Sequence, residues 1–142
     1  MKVISSKFGV IPVAIGLTIF AFTEVWGENW KSLYKDELFT LFYDAESITR
    51  PSKNIVRVKN KRIYTEKGKN EMVKMGGKAY KDLNLSISLL EINCVDIMAR
   101  PISMSHYSQG GSIIGSSENK EKAWVLIDPG SIGEPLYKEV CK

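Results

Sequence analysis

The chain contains two cysteines, Cys94 and Cys141, and the second of them is the penultimate residue. Cys94 ends an apolar run that resembles a β-strand, whereas Cys141 closes the segment PGSIGEPLYKEVC. A disulfide between them would tie the C-terminal segment to a sheet and stabilise the fold by about 4 kcal/mol through loss of chain entropy in the unfolded state. The alternative is a pair of buried thiols that are not bonded to each other.

The C-terminal segment, residues 129–141, has the pattern of a short amphipathic helix. Ile132, Leu136 and Val140 are spaced four apart and share one helical face. Isolated helices of fewer than about 12 residues are marginal in water, so this helix needs packing to be stable. Its start has two interpretations. Ser131 and Glu134 fit a capping box, or Glu134 is the cap and Pro135 the first helical residue.

The first 27 residues have the features of an export signal. Lys2 and Lys7 precede an uncharged run, Phe8 to Thr23, whose 16 residues are fewer than the roughly 20 that a membrane span needs. We expect a signal peptide over 1–27, cleaved after Gly27, and a mature domain over 28–142 without a transmembrane span. The protein is then exported to the periplasm or the cell surface, where disulfides persist. The alternative is an uncleaved anchor.

Positive charge is concentrated in the middle of the chain. The formal net charge is +4, but residues 50–81 hold 11 lysines and arginines against two glutamates. In the predicted strand Ile55 to Tyr64, the alternation places Val56 and Val58 on one face. It places three basic residues on the other, and two lysines follow on the adjoining segment. These are the candidate binding residues Arg57, Lys59, Lys61, Lys67 and Lys69.

Two interpretations of this basic band remain open. It is a solubilising surface, or it binds an anionic ligand such as an acidic polysaccharide, lipopolysaccharide or an acidic protein. We expect no nucleic-acid partner, because the chain is exported and contains no recognised nucleic-acid motif.

The remaining pattern predicts an α+β fold. Strand-like segments joined by hairpin-length connections indicate a single antiparallel sheet of about five or six strands, with the C-terminal helix packed on one face. The predicted strands cover 38–43, 55–64, 83–94, 97–107, 113–114 and 124–127. Asp44 is expected to cap a single helical turn. Residues 65–77, with three glycines, are expected to form a mobile loop with room for a helical turn around Met72.

Two irregularities in the strands are visible in the sequence. The alternation of apolar residues changes phase at Leu89-Leu90, which indicates either a β-bulge or a strand covered on both faces. Pro101 interrupts the following strand and indicates an edge or a bulge, because proline cannot donate to a ladder.

Three stretches taken together resemble the surface-adhesin protein E-like family of bacterial exported proteins. They are FYDAESI with the basic strand that follows it, SLLEINC with the return strand to HYSQGG, and AWVLIDPGSIGEPLYKEVC. The resemblance covers most of 28–142. It implies an antiparallel sheet whose concave face receives a C-terminal helix, tied by a disulfide that falls on Cys94 and Cys141. It also implies attachment to extracellular-matrix proteins and no enzymatic activity.

The chain shows no residue pattern typical of an enzyme. His106 is the only histidine, and no cluster of carboxylates or cysteines stands near it in sequence. A serine triad would depend wholly on this residue. We therefore predict no catalytic residues, no metal and no cofactor.

The sequence thus favours an exported envelope binding module of adhesin type. The alternative is a periplasmic structural or accessory subunit that docks a protein partner by a sheet edge. Either would be compatible with a homodimer.

Overall fold

The computed structural model describes residues 28–121 and 123–142, so the predicted signal peptide lies outside the described residues. One antiparallel sheet of eight strands dominates them, in the order β1-β2-β4-β5-β6-β7, with β3 paired to β4 and β8 paired to β6. The strands are β1 Trp30–Lys35, β2 Phe39–Asp44, β3 Thr49–Ser52, β4 Ile55–Tyr64, β5 Leu83–Asn93, β6 Met98–Ser108, β7 Ile113–Glu118 and β8 Val125–Leu126.

The α+β class and the antiparallel sheet are confirmed, but the expected number of strands was too small. No residue pattern indicated the strands β1 and β3. All four residues of β3 are exposed, and β1 has no strict alternation, because a register shift interrupts its pairing with β2 between Ser32 and Tyr34.

The prediction of a mobile loop over residues 65–77 was wrong, and the helical turn allowed around Met72 is part of a longer helix. This segment forms an 11-residue helix, α1 (Glu66–Gly76), followed by a 3₁₀ turn over Lys78–Tyr80. Thr65 caps the helix, since its Oγ1 accepts a 3.1 Å hydrogen bond from the backbone N–H of Gly68. Gly77, with φ of 95°, ends it. Gly68 and Gly76, which the pattern treated as helix breakers, lie within the helix.

The second helix, α2 (Gly133–Val140), is the predicted C-terminal helix. Neither predicted start is correct, because Ile132 occupies the cap position without a side-chain hydrogen bond. Glu134 instead accepts a 3.1 Å bond from the N–H of Gly130 in the preceding turn. The turn expected after Asp44 is present, but it is a hydrogen-bonded turn and not a helical one: Asp44 Oδ1 accepts from the N–H of Glu46 at 3.0 Å.

The sheet has two different faces, which we call the helix face and the open face. On the helix face, Val56, Val58 and Ile92 are fully buried and pack with Leu136 and Val140 of α2. Tyr80, just after α1, contacts His106 of the same face with ring centroids 5.2 Å apart. The open face carries the alternate residues of the same strands. Its central apolar residues, Leu85, Ile87 and Leu89, are half-buried.

A β-bulge lies where the phase change predicted an irregularity. Leu89 pairs with Ser103 and Leu90 pairs with Pro101, so Ile102 is the extra residue on β6. Its carbonyl accepts a 2.9 Å hydrogen bond from the N–H of Asn119 instead. The bulge therefore shifts the pairing of β5 with β6 by one residue beside Pro101, which has no N–H to donate.

A disulfide and side-chain hydrogen bonds attach the C-terminal helix to the sheet. The disulfide between Cys94 and Cys141 confirms the predicted pair, with a Cα–Cα distance of 5.6 Å. Two residues before Cys141, Glu139 Oε2 accepts a 2.9 Å hydrogen bond from Tyr43 Oη. Both of these contacts lie beside the buried apolar cluster that α2 shares with the sheet.

Candidate functional site

The three basic residues of β4 share the open face, as the alternation predicted. In the register with β5, Arg57 lies opposite Glu91, Lys59 opposite Leu89 and Lys61 opposite Ile87. We call these three residues the β4 basic row. Each of its members also has a partner within the protein, and the three differ in how firmly they are held.

Arg57 is the most strongly held member of the row. Its Nη2 donates to Glu91 Oε2 over 2.6 Å, and Nε donates to the same oxygen over 2.9 Å. The other oxygen of Glu91 accepts from Arg100 at 2.9 Å, and the Arg100 guanidinium lies 4.3 Å from the Trp124 ring centroid. Glu91 therefore lies between two cations and is only 3 % exposed. Burial acts to raise the pKa of Glu91, but the hydrogen bonds from the two arginines outweigh it, and the pKa lies below its usual value.

Lys59 has only long contacts with carboxylates. Its Nζ lies 3.5 Å from Glu28 and 3.9 Å from Asp44. Asp44 is fully buried, and its Oδ1 accepts backbone hydrogen bonds from Asn29 at 2.8 Å and Glu46 at 3.0 Å. Its Oδ2 has no hydrogen-bond partner. The Lys59 ammonium is therefore the nearest described cation to this carboxylate, and it still has free donor capacity.

Lys61 is placed against aromatic rings. Its Nζ lies 4.3 Å from the Trp30 ring centroid and 5.4 Å from that of Phe42. Partial burial lowers the pKa of Lys61, while the nearby carboxylates of Glu28 and Asp44 act in the opposite direction. A cation over aromatic faces keeps its hydrogen-bond donors free for a ligand.

The remaining two predicted residues are not part of this row. Lys67 and Lys69 belong to α1, where Lys67 binds Glu37 at 2.5 Å and Lys69 binds Glu66 at 2.7 Å. The bond to Glu37 raises the pKa of Lys67. The end of α1 leads to Tyr80, which contacts the helix face. The structure thus places Arg57, Lys59 and Lys61 in one row on β4, whereas Lys67 and Lys69 lie on α1.

A second feature, which sequence reasoning missed, is a cavity of about 250 Å³ on the helix face, beside the start of α2. We call it the helix-face cavity. Asn60, Arg62 and Ser88 supply its polar groups, and Ser88 Oγ donates a 3.1 Å hydrogen bond to Asn60 Oδ1. The other lining residues are Leu41, Leu90, Pro101, Met104, Ile132, Gly133 and Leu136.

Arg62 lies apart from the β4 basic row, because its side chain is on the opposite phase of the strand. Its guanidinium carbon lies 4.8 Å from the Phe39 ring centroid, and its buried Nε has no hydrogen-bond partner. The signal for this site was present in the sequence. Asn60 and Arg62 follow Val56 and Val58 in the same phase, so the core face of β4 becomes polar towards its C-terminal end.

A chain of hydrogen bonds connects Tyr64, Ser86 and His106 on the same face. The Tyr64 hydroxyl lies 3.0 Å from Ser86 Oγ, which lies 2.5 Å from His106 Nδ1. Burial lowers the pKa of His106, and the neighbouring Arg62 charge lowers it further. Ser86 is only 2 % exposed, so a substrate cannot reach its hydroxyl in this conformation. The arrangement is a buried polar network that joins β4, β5 and β6.

Residues 28–121 and 123–142 contain no group of three or more histidine, cysteine, aspartate or glutamate residues arranged to hold a metal ion. Nor does this part of the chain include a helix long and apolar enough to cross a membrane.

Comparison with known proteins supports one assignment. The family model described as surface-adhesin protein E matches residues 30–142, which covers the whole sheet and both helices. No curated protein and no solved structure matches the chain significantly.

Proposed function

The chain belongs to the surface-adhesin protein E family, and from this premise we propose that it is an exported, non-catalytic binding module that holds an anionic ligand on its open face. The observation that carries the proposal is the composition of this face. Three cationic side chains stand in one row beside the half-buried Leu85, Ile87 and Leu89. Neighbouring members of the row are about 7 Å apart, since a strand rises roughly 3.3 Å per residue.

The shape of the open face favours an extended ligand. A row of cations along a strand matches a chain of repeated negative charges better than a single small anion. An acidic polysaccharide, the phosphates of lipopolysaccharide, and an acidic segment of an extracellular-matrix-type protein all have this property. The apolar residues beside the row would add contact area that does not depend on salt.

Lys59 and Lys61 are the members best able to exchange partners. Their contacts are long ion pairs and cation–π contacts, and a ligand anion can replace or join these at little cost. Arg57 is committed to Glu91 and contributes mainly positive potential. Lys67 and Lys69 would contribute only to a ligand long enough to pass from the open face to α1.

The test is retention on a heparin-like or lipopolysaccharide column. Lys59→Ser/Lys61→Ser should elute at clearly lower salt than the wild type, because exposed charges are screened over about 10 Å at 0.1 M salt. Lys74→Ser/Lys78→Ser is the matched control, since it removes the same charge from exposed positions in and just after α1. If both variants elute at equally lower salt, retention depends only on general positive charge, and the proposal is contradicted.

The alternative function, a periplasmic structural or accessory subunit, is supported by the edge strand β7. Among the described strands β7 pairs only with β6, and its first residue, Ile113, is 62 % exposed. A partner strand could add to this edge by main-chain hydrogen bonds. Crosslinking from position 113 would then recover a protein partner whose binding is insensitive to salt, whereas the open-face proposal predicts strong salt dependence.

Export forms part of the proposal. A signal peptide over 1–27 gives a mature N-terminus at Glu28, the residue that contacts Lys59 on the open face. The disulfide between Cys94 and Cys141 accords with an oxidising compartment, either the periplasm or the cell surface. Mass spectrometry of the protein from its native cells tests this proposal. A mass that retains residues 1–27 would contradict it.

A further inference from the structure

The helix-face cavity combines one cationic group with mainly apolar walls. Its volume of about 250 Å³ lies just below the range of roughly 300–1,000 Å³ that is typical of small-molecule sites. Leu41 and Leu90 of the sheet, Met104 of β6 and Leu136 of α2 supply apolar surface from different elements. Such a cavity fits a slender apolar group better than a sugar or a nucleotide.

Arg62 forms no ion pair within the described chain. No described carboxylate lies within 4.0 Å of its guanidinium, and its Nε–H has no acceptor. The oxygens of the nearby Asp36 accept hydrogen bonds from other groups: Oδ1 from the N–H groups of Phe39 and Leu38, and Oδ2 from the Tyr34 hydroxyl. These hydrogen bonds lower the pKa of Asp36, and the Arg62 charge lowers it further. A guanidinium that is partly buried and lacks an anionic partner is the group for which a carboxylate ligand is the best complement.

The other polar groups of the cavity are partly paired with one another. Ser88 donates to Asn60, and Ser86 beyond them bonds both His106 and Tyr64. The cavity therefore offers one strong recognition element, the Arg62 guanidinium, beside a polar floor that is only partly paired. A ligand with a single negative charge at one end and an otherwise apolar body would satisfy it, whereas a dianion would leave a second charge against apolar walls.

We propose that the helix-face cavity binds a small monocarboxylate with an aliphatic tail, such as a medium-chain fatty acid, and that Arg62 binds its carboxylate. The tail packs between α2 and the sheet, beside Leu90, Met104 and Leu136. This site is on the opposite face from the β4 basic row and does not depend on the function proposed for that row.

The first test is calorimetric titration of the wild-type domain with a series of straight-chain carboxylates from butyrate to decanoate. Affinity should rise about fourfold per added methylene while the tail still enters the cavity, and then level off. Octan-1-ol has the same tail as octanoate without the charge and should bind at least about tenfold more weakly, the loss expected for a charge-assisted hydrogen bond. Equal binding of the acid and the alcohol would overturn the proposal.

The second test uses substitutions that change the charge but keep much of the side chain. Arg62→Gln should weaken octanoate binding at least about tenfold, and Arg62→Lys should weaken it less, because it retains the charge. Arg50→Gln, at an exposed position in β3, is the matched control and should bind like the wild type. Undiminished binding by folded Arg62→Gln would contradict the assignment.

A measurement on the wild type keeps the proposal testable if the Arg62 variants do not fold. In ¹H–¹⁵N spectra, octanoate should shift the amide signals of Ser88, Met104 and Gly133, which line the cavity. It should leave those of Lys59 and Lys61 on the open face unchanged. Shifts confined to the open face, or no shifts at millimolar octanoate, would overturn the proposal.

Discussion

The guanidinium of Arg57 on β4 donates two hydrogen bonds to one oxygen of Glu91 on β5, at 2.6 and 2.9 Å. The pair joins two central strands on the open face, and Arg100 holds the other oxygen from the far side. A residue that the sequence presents as part of a binding surface thus also has a structural role. This distinction decides which substitutions report on binding and which report on folding.

Replacing Arg57 should affect folding. Arg57→Ser would leave a carboxylate that is 3 % exposed with Arg100 as its only cation, and loss of one charged hydrogen-bond partner costs about 1–3 kcal/mol. Urea unfolding should show a lower midpoint for Arg57→Ser. Arg50→Ser, which removes the same charge at an exposed position, should unfold like the wild type. If the two variants have equal midpoints, the Glu91 cluster contributes no stability.

Stability should also depend on pH through Glu91. Its pKa is lower in the folded protein than its usual value of 4.5. Just below pH 4.5, the native state therefore binds fewer protons than the unfolded state. The stability that Glu91 contributes is fully present only above about pH 4.5. It should be lost as pH falls from there through the lowered pKa of the folded state. Asp36 and Glu139, whose pKa values are also lowered, add to the same trend.

The comparison with Glu91→Gln isolates this contribution. The free energy of unfolding of the variant should decrease less than that of the wild type between about pH 5 and pH 3. Identical slopes for the two proteins would mean that Glu91 does not titrate differently on folding.

At Gly68, the predicted effect of an alanine substitution on stability is opposite to the effect that helix propensity would give. Alanine is favoured over glycine within helices by about 1 kcal/mol, yet a Cβ at position 68 would overlap the backbone carbonyl oxygen of Leu38. Gly68→Ala should therefore lower the thermal midpoint. Asn70→Ala, two residues further along α1 at an exposed position, should leave it unchanged or raise it slightly. A stabilised Gly68→Ala variant would show that α1 does not pack closely on Leu38.

The disulfide should contribute more to the stability of the C-terminal helix than the neighbouring hydrogen bond does. Cys141→Ser should lose about 2–5 kcal/mol, whereas Tyr43→Phe, which removes the bond to the solvent-accessible Glu139, should lose less. Chemical denaturation of both variants under identical conditions measures the two values. Thiol titration of the denatured, unreduced wild type should detect no free thiol. An unchanged stability of Cys141→Ser would contradict the role of the disulfide as a clamp.

The fold could be predicted from the sequence where burial was periodic. Val56 and Val58 alternate with charged residues, and Ile132, Leu136 and Val140 recur at helical spacing, so both elements were found with the correct inner face. The predictions failed where tertiary contacts determine the local structure. Gly68 is a helical residue because it packs on Leu38, and β3 is a strand because it pairs with β4, although none of its residues is buried.

The candidate site was predictable only in part for the same reason. Strand alternation places Arg57, Lys59 and Lys61 on one face, but it contains no information about Glu91, Asp44 and Trp30, which come from distant parts of the chain. The helix-face cavity depends on where α2 ends against the sheet, a boundary that packing determines. Asn60 and Arg62 are polar residues on the same face of β4 as the apolar Val56 and Val58. They were the only local indication of the cavity.

The most direct test of the open-face account is a ¹H–¹⁵N titration of the wild-type domain with a heparin-like oligosaccharide at low salt. If the open face binds the oligosaccharide, the largest shifts should fall on Lys59, Lys61, Ile87 and Leu89 and should fade as salt is added. Largest shifts on α1 or on the edge of β7, or no shifts at all, would contradict the open-face account.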